Sequence, residues 1–171
     1  EASADETPDS KDLRLEQNET RLVALPQASL EAGAEISQAA GYETLILGDA
    51  IEGIASEVAR EHAALALEKQ REGKRLAIIS GGETTVIVRG PGRGGRNSEY
   101  MLAMAEALDG APGIYALACD TDGIDGTEDN AGAMINPDTL KRATKAGTSP
   151  QDALEKNDSY GFFETIGDLV V

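Results

Sequence analysis

Short apolar runs and segments of helical periodicity alternate along this chain. The runs that predict strands lie at residues 20–25, 42–47, 75–80, 84–89, 114–119 and 168–171. The segments that predict helices, with apolar residues recurring every three or four positions, lie at 27–40, 49–71, 97–108, 137–146 and 150–156. Strands that alternate with helices predict an α/β fold, in which a layered, mixed and mostly parallel sheet carries helices on both faces.

Capping signals refine the starts of two of these helices. Asp49 and Glu52 stand three residues apart and predict an acidic capping box at the start of the second helix. Asn97 is a residue type that caps helices well, and it is the first residue of the third helical segment. We therefore expect these two helices to begin at about residues 49 and 97.

Other local patterns give expectations for single segments and side chains. Residues 84–89 follow 75–80 so closely that the two strands are expected to form a hairpin, which makes the sheet mixed. Residues 157–163 are expected to form a turn. His62 lies on the apolar face of its helix and is expected to be a packed histidine, and Cys119 a small core residue inside its strand.

Composition and charge limit the class of protein. The 171 residues fit one α/β domain at 20–171 behind an acidic lead-in or linker at 1–19. A formal net charge of −16 argues against non-specific nucleic-acid binding, and no apolar run approaches the ~20 residues that span a membrane. A single cysteine fits a reducing compartment, so we expect a cytoplasmic protein. The acidic start and the apolar finish at 169–171 lead us to expect a fragment of a longer protein.

Residues 80–97 are rich in glycine and include three arginines in an otherwise acidic chain. Glycines let backbone N–H groups approach an anion, and arginines bind phosphate or carboxylate in a fork. Within this stretch, 90–95 matches the pattern G-x-G-x-x-G, with a predicted strand before it and a predicted helix after it. Pro91 removes an N–H donor and the arginines add charge, which leaves dinucleotide binding, other anion binding and a structural turn as alternatives.

Acidic residues follow two of the predicted strands. Asp120, Asp122 and Asp125 lie in a glycine-containing loop, where carboxylates bind Mg²⁺ or act as a general base; an Asx-rich turn is the alternative. Glu83 follows two glycines and is expected to orient an arginine, hold a metal or bind a substrate hydroxyl, unless it is a solvated loop acid. The carboxyl ends of parallel strands would bring these acids together, whereas a full hairpin would separate them. A Ser-His-Asp triad is excluded because His62 is the only histidine.

Several motifs occur in an order that resembles one enzyme family. They are Leu47-Gly-Asp-Ala-Ile-Glu-Gly53, Ser80-Gly-Gly-Glu-Thr-Thr-Val86, Gly92-Arg-Gly-Gly-Arg-Asn97, Thr121-Asp-Gly-Ile-Asp-Gly126 and Asn157-Asp-Ser-Tyr-Gly-Phe162. Together they resemble the class II glycerate kinases (glycerate 2-kinases), whose members often carry the label hydroxypyruvate reductase. The resemblance covers about residues 20–171 and corresponds to the C-terminal, or MOFRL, part of that family.

The resemblance implies an enzyme that transfers the γ-phosphoryl group of ATP to the 2-hydroxyl group of D-glycerate, with Mg²⁺, in a cleft between two domains. It implies catalytic roles for Glu83, Arg96 and Asp122. Substrate or phosphate would be bound by neighbouring glycines and polar residues, namely Gly81, Gly82, Arg93, Gly94, Gly95 and Asn97. The metal ligands would be Asp120, Asp122 and Asp125.

The partner that the resemblance implies is an N-terminal domain of the same polypeptide, which would supply a lysine. The chain by itself is therefore expected to be inactive. No nucleic-acid or membrane partner is expected, and a homodimer is left open. Two other functions also stay open: an NAD(P)H-dependent hydroxypyruvate reductase, based on the G-x-G-x-x-G match, and a non-catalytic small-ligand-binding or regulatory module.

Overall fold

Helices and strands alternate through the part of the chain that the structure, a computed structural model, describes, which is residues 25–171. The predicted lead-in at 1–19 and the predicted strand at 20–25, except Leu25, lie outside the described residues. The elements are α1 (Pro26–Ala39), β1 (Glu43–Ile54), α2 (Ala55–Arg71), β2 (Leu76–Thr85), α3 (Arg96–Leu108), β3 (Ala116–Cys119), β4 (Gly132–Ile135), α4 (Thr139–Ala146), α5 (Pro150–Lys156), α6 (Ser159–Ile166) and β5 (Leu169–Val170). The predicted mixed α/β class is confirmed.

The five strands of residues 25–171 form two sheets, one parallel and one antiparallel. β1 pairs with β2 in parallel, and β3, β4 and β5 form an antiparallel sheet in that order. The first pair is parallel because α2 crosses over between its strands, as parallel pairing requires. β3 and β4 are joined by the loop 120–131 without a helix, so β4 returns antiparallel to β3.

The first two strands are longer than the sequence predicted, and this corrects two expectations. β1 continues through the glycine-containing segment 48–54 and pairs Ile54 with Thr85. The capping box at Asp49 and Glu52 is therefore wrong, and α2 begins at Ala55. The hairpin is also wrong, because residues 84 and 85 extend β2. The reason is tertiary: the polar, glycine-rich ends of the two strands satisfy each other's backbone groups.

Helix α3 lies at the centre of the core. Its side chains Met101 and Leu102 are fully buried against the antiparallel sheet and the aromatic residues Phe162 and Phe163 of α6. The predicted turn at 157–163 is thus wrong beyond residue 158: once Asn157 has turned the chain at φ 53°, α6 forms and buries both rings. Burial of these two aromatic side chains outweighs the local turn preference.

Of the two remaining side-chain expectations, that for His62 is confirmed and that for Cys119 is wrong. His62 is half-buried, and its Nδ1 lies 2.7 Å from the hydroxyl oxygen of Tyr100, as expected for a packed histidine. Cys119 is exposed, so the core assignment is wrong; alternate residues of β3 face away from α3, and Cys119 is one of them. Among residues 25–171, the structure contains no helix both long and apolar enough to cross a bilayer.

Candidate functional site

Arg96 is the point at which three distant segments meet. It is the first residue of α3, and its guanidinium group is shared by two carboxylates. Nη1 donates to Oε1 of Glu83 at the end of β2, and Nη2 donates at 2.5 Å to Oδ1 of Asp120, which follows β3. The hydrogen bond that Arg96 donates to Asp120 is the main cause that raises the pKa of Arg96. The predicted pairing of Glu83 with Arg96 is confirmed, while their catalytic roles stay predictions.

Asp120 is the more firmly held of the two carboxylates. Its side chain is 14% exposed, whereas that of Glu83 is 74% exposed. The second oxygen of Asp120 accepts a hydrogen bond at 2.9 Å from Nδ2 of Asn97, the neighbour of Arg96. The first turn of α3 thus binds Asp120 through two side chains, and Glu83 meets the same arginine from the solvent side.

Asp125 caps helix α3 from a different part of the chain. Its carboxylate is fully buried, and it accepts the backbone N–H groups of Asn97 at 2.9 Å and Ser98 at 2.8 Å. The hydroxyl group of Ser98 also donates to it. The expectation that Asn97 caps its own helix is therefore wrong: Gly95 precedes the helix, and Asp125 satisfies the free N–H groups of its first turn.

The three aspartates do not converge as a metal-ligand set. Within residues 25–171, no group of three or more His, Cys, Asp or Glu side chains is arranged to hold a metal ion. Asp120 and Asp125 both turn their oxygens towards the start of α3, where each accepts hydrogen bonds, and their roles as metal ligands stay predictions. Asp122 is exposed, and Oδ1 accepts the N–H of Ile124 at 3.1 Å, an Asx turn. Of these three aspartates, Asp122 is the exposed one, and its role as a metal ligand stays a prediction.

The glycine-rich loop lies along the connection between α5 and α6. Oδ1 of Asn157 accepts the backbone N–H groups of Arg89 and Gly90, at 2.7 and 2.9 Å. The N–H of Gly92 donates at 2.8 Å to the carbonyl of Lys156. These donors are the ones a phosphate cradle would need, and all three already bind protein acceptors.

Close packing explains why this loop contains glycines. A Cβ atom at Gly92 would lie 2.6 Å from the backbone nitrogen of Asp158, and one at Gly95 would overlap Asp125. Gly94 has φ 156° and packs against Ser159. Of the three alternatives for the G-x-G-x-x-G match, the structural turn accounts for these contacts. Substrate binding by Gly94 and Gly95 stays a prediction that no contact in residues 25–171 supports.

Arg93 is held by helix α6 and its neighbours. Its guanidinium carbon lies 4.5 Å from the ring centroid of Tyr160, and its nitrogens pair with Glu128 at 3.3 Å and Glu164 at 3.2 Å. The phenol of Tyr160 in turn donates to Asp129 at 2.9 Å. The arrangement ties the loop 120–130 to α6, and phosphate binding by Arg93 would require these ion pairs to break.

The other two predicted binding glycines are part of β2. Gly81 and Gly82 lie inside the strand rather than in a loop. Gly82 pairs with Ile51 of β1 at φ 153°, and a Cβ atom there would overlap the Ile51 backbone. Their place in the sheet fixes the position of Glu83, which is the next residue along the strand.

Asn157 and Glu99 are structurally important residues that the sequence reasoning did not assign. Besides binding the loop, Asn157 donates through Nδ2 to the carbonyl of Ile87 at 3.2 Å and to Glu99 at 3.0 Å. Burial raises the pKa of Glu99, and the hydrogen bond from Asn157 and the charges of Arg89 and Arg60 act against that rise. The Asn-Asp-Ser-Tyr motif at 157–160 marks Asn157 in the sequence, but the sequence does not show that Asn157 binds the loop at 89–90 and Glu99.

Comparisons with known proteins show which family this chain resembles. The model of the MOFRL family matches residues 76–171. The chain is 52% identical over 159 residues to a protein of Agrobacterium vitis named "Putative hydroxypyruvate reductase", covering 90% of this chain and 36% of that protein. It is 32% identical to the D-glycerate 2-kinase of Thermotoga maritima, covering 90% of this chain and 38% of that protein.

Structural comparison agrees. The chain superposes on the 2.70 Å crystal structure of a glycerate kinase from Thermotoga maritima with a TM-score of 0.84 and 32% identity, covering 90% of this chain and 38% of that one. The chain thus spans 36–38% of the length of these relatives. The matched residues include Glu83, Arg96 and Asp120, and the chain belongs to the MOFRL family.

Proposed function

We propose that this chain is one part of an ATP-dependent glycerate 2-kinase and contributes substrate-binding residues to a site shared with an N-terminal domain. The names of the relatives from Thermotoga maritima and Pyrococcus horikoshii support this reading. The observation that carries it is the arrangement of Arg96, which presents a cation between Glu83 and Asp120 beside the exposed Asp122. The chain's share of the relatives' length is consistent with a site that needs more protein.

Arg96 is suited to bind an anion without losing its position. Asp120 and the helix hold it from one side, where the pair is largely buried. Glu83 is mostly exposed, and exposed ion pairs stabilise by only ~0–1 kcal/mol, so an incoming carboxylate or phosphoryl group can replace it at low cost. Phosphoryl transfer depends on positioning and on neutralising the charge of the transferring group, which a fixed guanidinium provides.

Asp122 is the most exposed of the aspartates at 120, 122 and 125. It is exposed and close enough to Arg96 to affect the pKa of the guanidinium group. We assign it either to accept the proton of the glycerate hydroxyl group or to provide one oxygen to Mg²⁺. Bound Mg²⁺ would supply charge neutralisation to the phosphate oxygens of ATP. The other ligands would come from phosphate, water and protein outside the described residues.

The cation at position 96 gives the direct test in the intact enzyme that contains this chain. We expect Arg96→Lys to lower the kcat/KM for glycerate by a factor of about 100, because lysine cannot make the forked contact. The matched control is Arg60→Lys, since Arg60 pairs with Glu106 at 3.4 Å on the surface. ATP-dependent formation of phosphoglycerate is the readout. Wild-type protein without this activity would refute the proposal.

An assay of the same intact enzyme with hydroxypyruvate distinguishes a kinase from a reductase. The Agrobacterium vitis relative carries the reductase name, but the backbone donors of the G-x-G-x-x-G loop bind protein acceptors. We expect hydroxypyruvate to cause no oxidation of NADH or NADPH, measured by absorbance. Oxidation that depends on hydroxypyruvate would favour the reductase. Binding of glycerate and ADP without any turnover would favour the non-catalytic module.

We also propose that residues 1–171 alone lack kinase activity, because no group of three or more His, Cys, Asp or Glu side chains in residues 25–171 is arranged to hold a metal ion, and the loop N–H groups of Arg89 and Gly90 already bind Asn157. Measurable phosphorylation of glycerate by the isolated chain would contradict this. The cytoplasmic location and a homodimer stay predictions.

A further inference from the structure

We propose that Asp125 is a positioning residue for Arg96: it locks the loop 120–130 onto the first turn of α3, and so sets the geometry of the anion site without touching the substrate. The kinetic consequence of this inference rests on the proposed function. The contact between Asp125 and the first turn of α3, and its effect on Arg96, can be tested without that function. Asp125 is fully buried in a loop whose flanking positions 122–124 and 126–127 are exposed.

The side-chain hydrogen bonds of Asp125 all lead to the two residues that follow Arg96. Oδ1 accepts from the backbone of Asn97 at 2.9 Å and from its side-chain Nδ2 at 3.4 Å. Oδ2 accepts from the backbone of Ser98 at 2.8 Å and from its hydroxyl group. One carboxylate therefore receives four hydrogen bonds from two consecutive residues of the first turn, and this fixes the direction in which Arg96 leaves the helix.

The main chain of Asp125 helps to close the loop that carries Asp120, the partner of Arg96. The backbone N–H of Asp125 donates to the carbonyl of Asn130 at 2.7 Å, and that of Asp120 donates to Ala131 at 2.7 Å. Asn130 is fully buried, and its Nδ2 donates to Ser98 at 3.1 Å. The loop is thus closed on itself and attached to α3 through Asp125, so Asp120 meets Arg96 in one arrangement.

Packing leaves little freedom for any other arrangement. A Cβ atom at Gly95 would overlap Asp125, and one at Gly126 would lie 2.9 Å from the carbonyl oxygen of Gly94. The loop and the residues before α3 are therefore in backbone contact. A carboxylate supplies two acceptor oxygens here, whereas an amide supplies one and turns an NH₂ group towards N–H donors. Asp125→Asn keeps the shape and removes this match.

A double-mutant cycle in the intact enzyme tests the coupling. We expect Asp125→Asn to lower kcat for glycerate phosphorylation by a factor of about 10 or more, with the KM for ATP changed less than about two-fold. In an Arg96→Lys background the same change should cost less than about three-fold, since an effect transmitted through Arg96 disappears once Arg96 is altered. Equal costs in both backgrounds would overturn the proposal.

The matched control is another buried aspartate far along the chain. Asp168 is paired with Arg142, with Nη1 to Oδ1 at 2.8 Å, and lies in none of the proposed binding machinery. Asp168→Asn should lower thermal stability, leave kcat within about two-fold, and combine additively with Arg96→Lys. If Asp125→Asn behaves like this control, Asp125 is only structural and the proposal is wrong.

A spectroscopic readout separates this inference from the proposed function. In the wild-type protein the side-chain NMR signals of Arg96 should be those of a slowly exchanging, paired guanidinium group. In Asp125→Asn they should move to the positions of free arginine while the protein stays folded. Unchanged Arg96 signals would overturn the inference even in an active kinase. Changed signals in a protein without kinase activity would support the juxtaposition and refute the proposed function alone.

Discussion

Arg96 and Asp120 lie 24 positions apart in the chain, and their side chains join the start of α3 to the end of β3 through a pair 2.5 Å long. Both groups are mostly shielded from solvent. The pair thus connects α3, the central helix of the core, to the loop that carries Asp122. Any change at this contact is expected to affect both stability and the candidate site.

Replacing Asp120 by a neutral residue tests how much its contact with Arg96 stabilises the fold. We expect Asp120→Asn to lower the free energy of unfolding by about 1–2 kcal/mol, because a charged hydrogen bond to Arg96 is lost and the amide of Asn97 loses an acceptor. Urea unfolding of the intact protein measures this. The control Glu106→Gln breaks an exposed pair with Arg60 and should cost less than about 1 kcal/mol. Similar losses in both variants would contradict the expectation.

Removing the side chain of Asn157 should release the glycine-rich loop. Asn157→Ala loses four hydrogen bonds and places alanine at φ 53°, so we expect a loss of about 2–4 kcal/mol in unfolding free energy. Asn157→Gly separates the two causes, because glycine tolerates the backbone angle and lacks only the bonds. Faster hydrogen exchange at Arg89 and Gly90 should accompany both variants. Unaltered exchange there would show that the loop does not depend on Asn157.

The buried carboxyl group of Glu99 should produce a pH-dependent difference in stability. Burial raises the pKa of Glu99, so between the unfolded and folded pKa values the native state binds more protons, and its stability falls as pH rises. Glu99→Gln lacks this contribution and still accepts from Asn157. We expect the stability of the variant relative to wild type to increase from acidic to neutral pH and then level off. A difference that stays constant with pH, measured by chemical unfolding, would contradict this.

Two glycine substitutions of the same size should have opposite effects. Gly95→Ala would force the new methyl group into Asp125, and we expect it to cost at least about 2 kcal/mol. Gly33→Ala lies inside α1, where a Cβ atom would lie 3.8 Å from Ile79, and it should stabilise by about 0.5–1 kcal/mol. Thermal unfolding of both variants is the measurement. A harmless Gly95→Ala would mean that the glycine is not required by packing.

Elements with strong local signals were predicted well. The helix predicted at 150–156 corresponds to α5, and the side chain of Ser149 before it accepts a hydrogen bond from the backbone N–H of Asp152. The helix predicted at 27–40 corresponds to α1, and Asp109 ends α3 in the left-handed conformation. In each case the residues within one or two turns supply the energy that fixes the boundary.

Predictions failed where a distant segment supplies the decisive contacts. The pair Asp49 and Glu52 matches a capping box locally, but β2 offers a full strand partner and keeps residues 48–54 extended. Asn97 is a good cap by type, yet a buried carboxylate from 28 residues away takes that role. Neither partner can be recognised from the sequence around the helix.

The sequence by itself determined the alternation of helices and strands, the family, and the three residues Glu83, Arg96 and Asp122 as candidates. These depend on local periodicity and on motif residues that can be read in order. Only the tertiary structure decided that the glycines serve close packing, that Asp125 caps α3, and that Asp120 holds Arg96. The reason is physical: hydrogen bonds and steric contacts between segments 24 to 68 positions apart depend on how the strands pair and the helices pack.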